Sequence, residues 1–165
     1  MDEQQSKPVQ KNTWVEKIVS GGQTGVDRAA LDAAILVGIP HGGWCPNGRR
    51  AEDGPIAACY ALQELGSTHY ADRTKRNVLD SDATLVLYTD VLQGGTFLTW
   101  RYALKHGKPC LKICLTRPGR VQRVRDWLTR NQVRTLNIAG PRASKEPDVY
   151  DHALEYLKRI FDSEK

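Results

Sequence analysis

The sequence lacks the patterns of disulfide-rich, zinc-bound and membrane-spanning proteins. Its four cysteines, at positions 45, 59, 110 and 114, include no CxxC pair, so we expect buried free thiols rather than a disulfide framework or a zinc site. No apolar run is long enough to cross a bilayer, and we recognise no signal peptide in the polar, aperiodic segment 1–13. We therefore predict a cytoplasmic protein without a membrane partner, with a disordered arm at 1–13 and one domain at 14–163.

Familiar catalytic signatures are missing as well. The glycine-rich segment SGGQTG at 20–25 is not followed by Gly-Lys-Ser/Thr, as in a P-loop. It also lacks the G-x-G-x-x-G spacing of dinucleotide-binding domains. The four histidines are scattered, and we find no Ser-His-Asp order and no metal-ligand spacing. These absences favour a binding protein over an enzyme, and they predict no metal site made by the protein itself.

Positive charge is concentrated in one part of the chain. The segment 116–145 carries a net charge of +7, whereas the whole chain carries +5. Such an excess is typical of a solvated helix face or a subunit interface, and it also suits an anionic partner. We predict no nucleic-acid partner for it.

What the chain does contain is a repeated alternation of strands and helices. Apolar residues recur at three- and four-residue steps from Val26 to Val37, directly after a predicted strand at 14–20. Further strands are predicted at 83–88, 109–115 and 134–139. Further helices are predicted at 72–79, after the loop 93–96 as far as 105, at 119–131 and at 147–161. This order predicts an α/β fold, a Rossmann-like three-layer sandwich whose mostly parallel sheet has helices on both faces.

Three loops that connect a strand to a helix are predicted to meet at the carboxyl edge of the sheet, where open α/β sheets bind ligands. Glycine allows the backbone to approach a ligand closely, and the N–H groups at a helix start favour an anion. One Gly-Gly turn has little meaning, but three such loops at one edge indicate a phosphate-bearing ligand. The candidate residues are Gly21, Gly22, Gln23, Thr24 and Gly25, then Gly94, Gly95 and Thr96, and finally Gly140 and Arg142.

Polar residues outside these loops add candidates. Arg28 lies in the first turn of a predicted helix, where a cation opposes the helix dipole, so we expect it to bind an anion or a carboxylate. Arg49 and Arg50 lie in a long irregular segment, and they can clamp an oxyanion if that segment folds over the sheet edge; a solvated pair is the alternative. Arg73 and Asn77 lie on a short polar helix, where plain surface exposure is the alternative.

Long stretches of the sequence resemble the molybdenum cofactor carrier family. The resemblance runs from about 17 to 161, and its most specific part is GGWCPNGRRAEDG at 42–54. It implies a Rossmann-like fold related to the lysine-decarboxylase-like group and a homotetramer. It also implies a non-catalytic protein that binds, protects, stores and transfers the molybdenum cofactor to molybdoenzyme apo-proteins. The phosphate and the oxyanionic molybdenum end of this cofactor, joined by a flat pterin, fit two anion-binding loops. The basic segment would then be an interface or a docking surface for an acceptor enzyme.

Two other functions stay open. Cytokinin-type nucleoside-monophosphate phosphoribohydrolases share this fold and carry a PGGxGTxxE motif, which corresponds to 92–99 here. The Gly-Thr of the motif is kept, but its acid falls on Thr99, so the expected acid/base group is missing. A nucleotide-sensing domain that binds a ribosylated ligand without turnover would present the same loops.

Overall fold

The computed structural model of the protein describes residues 15–162. The arm predicted at 1–13, and Trp14 at the start of the predicted domain, lie outside these residues. In chain order the elements are β1 (Lys17–Val19), α1 (Val26–Val37), β2 (His41–Gly42), β3 (Trp44–Cys45), β4 (Arg50–Ala51), β5 (Gly54–Pro55), β6 (Gln63–Glu64), α2 (Tyr70–Leu79), β7 (Ala83–Tyr88), α3 (Gly94–Lys105), β8 (Cys110–Cys114), α4 (Val121–Arg130), β9 (Thr135–Ala139) and α5 (Val149–Phe161).

One parallel sheet organises the molecule. Its five strands lie in the order β2, β1, β9, β7, β8, and every neighbouring pair is parallel. With helices around this sheet, the predicted Rossmann-like α/β fold is confirmed. β9 is the last strand in the chain, yet it lies between β1 and β7. The strand order therefore reverses at the centre of the sheet, and a ligand crevice is expected at the carboxyl ends of β1, β9 and β7.

The main core lies between the sheet and the helices α1, α4 and α5. Leu85 and Leu87, at alternate positions of β7, point into this core, since successive strand residues face opposite sides of a sheet. α1 packs closely against α5 because its buried side is made of small residues: Ala29, Ala30, Ala33 and Ala34. The opposite face is covered by α2 and α3, and there the Asn137 amide donates to the Thr84 hydroxyl at 3.3 Å.

The segment between β2 and α2, of which 46–55 was predicted as a long irregular stretch, folds into a compact insert. It contains a parallel pair, β3 with β6, and an antiparallel hairpin, β4 with β5. Cys45, Ile56 and Leu62 form a second small core together with Leu31 of α1. The insert therefore packs against α1. This packing places the hairpin β4–β5 beside the carboxyl edge of the sheet.

The structure corrects some details of the sequence analysis. All four cysteines are free, but only Cys45 is buried, and Cys59 is exposed. Cys110 and Cys114 are half-buried because β8 is the edge strand of the sheet. The helix predicted at 119–131 is α4, two residues shorter at its start and one at its end. Within residues 15–162, no helix has the length and apolar character to span a membrane.

Candidate functional site

A cavity of about 410 Å³ opens at the carboxyl ends of the three central strands. Its walls come from the loops after β1, β7 and β9, as the sequence predicted, and from one side of α2. The floor carries Asn137 of β9. The candidate residues that line the cavity are Gly21, Gln23, Arg73, Asn77, Gly94, Gly95, Thr96, Gly140 and Arg142.

The start of α3 forms one wall of the cavity. Gln93, the residue that precedes the helix, makes no side-chain capping hydrogen bond with any described residue. The N–H groups of the first helical turn, beginning at Gly94 and Gly95, have no partner within their own helix. They carry the positive end of the helix dipole. This wall is therefore suited to an anion.

Glycines in the loop after β1 are required by neighbouring protein groups. A Cβ atom at Gly21 would lie 2.0 Å from Nη1 of Arg73. A Cβ atom at Gly25, where φ is +77°, would lie 2.3 Å from the carbonyl oxygen of Pro141. The two glycines therefore allow a guanidinium and the loop after β9 to approach this turn. This close approach is a different role from the direct ligand contact that the sequence analysis gave them.

Arg73 reaches from α2 to the base of the cavity. Its Nη1 donates to the Gly21 carbonyl at 2.9 Å and lies 3.4 Å from Oδ2 of Asp27. Only 8% of Arg73 is exposed, and its buried Nε–H has no hydrogen-bond partner within residues 15–162. Leaving a charged donor buried and unsatisfied is costly. The same positively charged side chain lines the cavity, so the cavity suits an oxyanion.

Asp27 places a carboxyl group in the same cavity. It lies in the first turn of α1, is buried, and its Oδ2 accepts the Gln23 N–H at 3.3 Å. Burial raises the pKa of Asp27 above its usual value, and the nearby guanidinium of Arg73 opposes this shift only in part. The sequence indicated only a favourable dipole interaction for this residue. Its buried, cavity-lining position depends on α2, which comes much later in the chain.

Three of the predicted arginine contacts lie outside the cavity. Arg28 forms an ion pair with Asp53 at 3.1 Å, so its partner is a carboxylate rather than a ligand anion. The guanidinium of Arg49 donates to four carbonyl groups of the insert, those of Ile56, Ala57, Tyr60 and Leu62. Arg49 is therefore committed to holding the insert together and is not available as a clamp. Arg50 is exposed on the hairpin and does not line the cavity.

Other candidate side chains are also bonded to the protein itself. The Asn77 amide accepts the Trp44 N–H at 2.8 Å and donates to the Trp44 carbonyl at 3.0 Å. It lines the cavity, but its main contact attaches α2 to β3. Thr24 is bonded to Glu52 and to the Ala143 N–H, and it lies outside the cavity together with Gly22 and Gly25.

Several lining residues were missed from the sequence. Tyr70, at the start of α2, is the one aromatic side chain among the described lining residues, and the Arg73 guanidinium lies 5.5 Å from its ring centre. Lys145 and Glu146 also line the cavity. They directly follow the third predicted loop, so their position in the sequence could have indicated them as candidates. Thr99 also lines the cavity, and its hydroxyl donates to the Gly95 carbonyl at 2.9 Å.

A cavity of mixed polar and apolar lining at the carboxyl edge of a parallel sheet, beside a helix start and a buried arginine, is typical of Rossmann-like proteins that bind small anionic ligands. The model of the circularly permutated YpsA SLOG family matches residues 18–161, so the chain belongs to this family. Together with the solved structure described next, this match confirms the family expected from the sequence.

The chain is also similar to a solved structure, "Crystal structure of Putative molybdenum carrier protein from Syntrophus aciditrophicus SB", determined at 1.45 Å resolution. The two chains are 45% identical and superpose with a TM-score of 0.87 over 91% of this chain and 96% of that one. No curated protein matches the chain. Within the described residues, no group of three or more His, Cys, Asp or Glu side chains is arranged to hold a metal ion.

Proposed function

We propose that this protein binds the molybdenum cofactor in the cavity and stores, protects and transfers it without catalysing a reaction. The observation that carries the proposal is Arg73, a buried guanidinium that lines the cavity at the carboxyl edge of the sheet. The name of the 45% identical relative, a putative molybdenum carrier protein, supports the choice of ligand.

The donor set of the cavity suits a ligand with two anionic ends. Arg73 lies at the base, and Arg142 and Lys145 lie in the loop after β9. The start of α3, with Gly94 and Gly95, is a further anion-binding wall. The rest of the lining combines polar groups, apolar side chains and the ring of Tyr70, which suit the hydrogen-bonding edge and the flat face of a pterin. The cofactor keeps its own dithiolene ligation, so the protein need supply no metal ligand.

The proposal also covers the assembly and the setting of the protein. We propose a cytoplasmic homotetramer that passes its cofactor to molybdoenzyme apo-proteins. The exposed arginines of the basic segment, such as Arg117, Arg120 and Arg123, are proposed as a subunit or acceptor interface, because the segment 116–145 carries a net charge of +7.

The direct test is to mix the purified protein with molybdenum cofactor released from a molybdoenzyme under anaerobic conditions. After gel filtration, the cofactor retained is measured by the fluorescence of its oxidised pterin. We expect stoichiometric retention and slower loss of the cofactor in air than in buffer. Absence of retention, or decay as fast as in a bovine serum albumin control, would contradict the proposal.

A hydrolase is the second candidate because Asp27 supplies a buried carboxyl whose pKa is raised by desolvation, although the acid of the hydrolase motif is replaced by Thr99. A carboxyl of this kind can act as a general acid. On the carrier account, incubation with AMP releases no free adenine above a protein-free control. Release of adenine that is lost in Asp27→Asn would favour the hydrolase instead.

A further inference from the structure

The hairpin β4–β5 carries Glu52 at its tip, and this carboxylate contacts two of the loops that form the cavity. Its Oε1 accepts the Ser144 N–H at 3.0 Å and the hydroxyl of Thr24. Its Oε2 accepts the Ser144 hydroxyl at 2.6 Å and lies 3.9 Å from Nη1 of Arg142. One side chain of the insert therefore joins the loop after β1 to the loop after β9.

Backbone contacts extend the same connection. The Glu52 N–H donates to Oε1 of Gln23 at 2.9 Å, and the Thr24 N–H donates to the same oxygen at 3.1 Å. The Thr24 hydroxyl oxygen also accepts the Ala143 N–H at 3.1 Å. Gln23 and Arg142 line the cavity. Glu52 therefore contacts residues that line the cavity on two different walls.

The hairpin that presents Glu52 is firmly held. At its base, the guanidinium of Arg49 is bonded to four carbonyl groups of the insert. The neighbouring Asp53 pairs with Arg28 of α1 at 3.1 Å, but half of the Asp53 side chain is exposed, so this pair adds little to the hold on the hairpin. The pKa of Glu52 is lowered: desolvation raises it, but the hydrogen bonds from Ser144 and Thr24 outweigh that effect. Glu52 is therefore an ionised, well-oriented acceptor at neutral pH.

We propose that Glu52 is a positioning residue for the cavity. By accepting hydrogen bonds from Thr24 and Ser144, it fixes the distance between the two loops and thereby the affinity for an anionic ligand. The inference rests on the proposed function only for the identity of that ligand. The helices themselves do not need this contact, because α1 and α5 pack directly against each other through the main core.

The test compares Glu52→Ala with Glu52→Gln, and uses Asp53→Ala as the matched control. Asp53 is the neighbouring acid of the same turn, but its ion pair is with Arg28 and not with either loop residue. Two quantities are measured on the folded proteins: hydrogen exchange of the Ala143 and Ser144 amides without ligand, and the dissociation constant for the molybdenum cofactor. A glutamine keeps the Oε1 acceptor, and its NH2 group can donate to the Ser144 hydroxyl where Oε2 accepted from it. This variant therefore separates hydrogen bonding from charge.

We expect Glu52→Ala to speed the exchange of both amides at least tenfold and to raise the dissociation constant at least tenfold. Glu52→Gln and Asp53→Ala should each stay within threefold of the wild type in both measurements. A purely structural contact would lower thermal stability in Glu52→Ala and leave the dissociation constant unchanged below the melting temperature. That result would overturn the proposal, and so would a Glu52→Gln variant that binds the cofactor as weakly as Glu52→Ala does.

Two arrangements keep the test decisive. If Glu52→Ala does not fold, Ser144→Ala removes the 2.6 Å hydroxyl contact alone, and we expect a three- to tenfold weaker affinity; no change would overturn the proposal. If the wild type binds no molybdenum cofactor, the proposed function fails. The role of Glu52 is then decided by amide exchange and by the affinity for inorganic pyrophosphate in the same variants.

Discussion

At the scale of single residues, the arginines show how similar side chains take different roles. Arg49 and Arg125 donate to carbonyl groups, of the insert and of the end of α5 respectively. Arg28 pairs with Asp53. Arg73 is buried and its Nε–H has no partner among the described residues. The sequence named Arg28, Arg49 and Arg73 as equal candidates, because which carbonyl groups surround a guanidinium depends on contacts between distant segments.

Asp27 gives a prediction on pH dependence at this scale. Burial raises its folded-state pKa, so the ionised form is less stable in the folded protein than in the unfolded one. Its stabilising contribution is therefore fully present below the pKa that Asp27 has in the unfolded chain. This contribution is lost as the pH rises through the higher pKa that Asp27 has in the folded protein. Asp27→Asn removes this titration. We expect the free energy of unfolding of Asp27→Asn, relative to the wild type, to increase from about pH 4 upwards.

Urea unfolding of both proteins at several pH values checks this expectation. Exposed Asp126→Asn serves as the control for a general change in charge. A relative stability of Asp27→Asn that falls as the pH rises would show that the ion pair with Arg73 outweighs desolvation, contrary to our account.

At the scale of elements, three segments meet on one carboxylate. Asp32 of α1 accepts the hydroxyl of Tyr60 from the insert at 2.7 Å and that of Tyr150 from α5 at 2.5 Å. Desolvation, together with the hydrogen bond to Asp32, raises the pKa of Tyr150 to about 12. Both phenols therefore remain protonated donors throughout the physiological range, and the contact joins the insert to the main domain.

Replacing Asp32 with alanine should remove both hydrogen bonds. Each bond to a charged group contributes about 1.5 kcal/mol or more when well shielded, and Asp32 is only half-buried, so we expect a loss of about 2 kcal/mol in the free energy of unfolding. Chemical denaturation measures it. Glu155→Ala, an exposed acid on α5, should change stability by less than about 0.5 kcal/mol. Equal effects of the two substitutions would contradict the proposed link.

The loop after β1 gives a second prediction at this scale. A methyl group at Gly25 meets the Pro141 carbonyl at 2.3 Å, and φ there is +77°. With ψ at −129°, this backbone conformation is one that alanine rarely adopts, and it costs alanine about 1–3 kcal/mol. Overpacking adds about 1–3 kcal/mol. Gly25→Ala should therefore lose about 3 kcal/mol of stability in the same assay. Gly66→Ala, where no atom lies within 4 Å, should stay within about 0.5 kcal/mol, and a similar loss there would contradict the account.

The elements show what the sequence can predict. The strand β7 lies at the predicted residues 83–88, because a continuous apolar run followed by a glycine-rich loop is a strong local signal. The convergence of three loops on one cavity follows from the rule for parallel sheets. The insert was not predicted: its strands are two residues long, and its small core depends on Leu31 of α1. Tyr70 was missed for the same reason, since α2 reaches the cavity only through tertiary packing.

At the scale of the whole molecule, the order of the strands in the sheet determines where the cavity forms. β9 inserts between β1 and β7, so three loops that are far apart in sequence meet, and α2 closes one side. The Arg73 guanidinium and the start of α3 then give the cavity the two positions that we propose for anionic groups. The account of the protein as a molybdenum cofactor carrier therefore depends most directly on Arg73.

The most direct measurement is the affinity for the molybdenum cofactor in the wild type and in Arg73→Ala, with Arg76→Ala as the control on the same helix. Arg76 is exposed and pairs with Asp80 at 2.8 Å outside the cavity. Losing a buried, charge-assisted hydrogen bond costs about 1.5–3 kcal/mol, so the account predicts at least tenfold weaker binding for Arg73→Ala. Arg76→Ala should bind within twofold of the wild type. Equal affinity of folded Arg73→Ala and of the wild type would contradict the proposed role of Arg73 in cofactor binding.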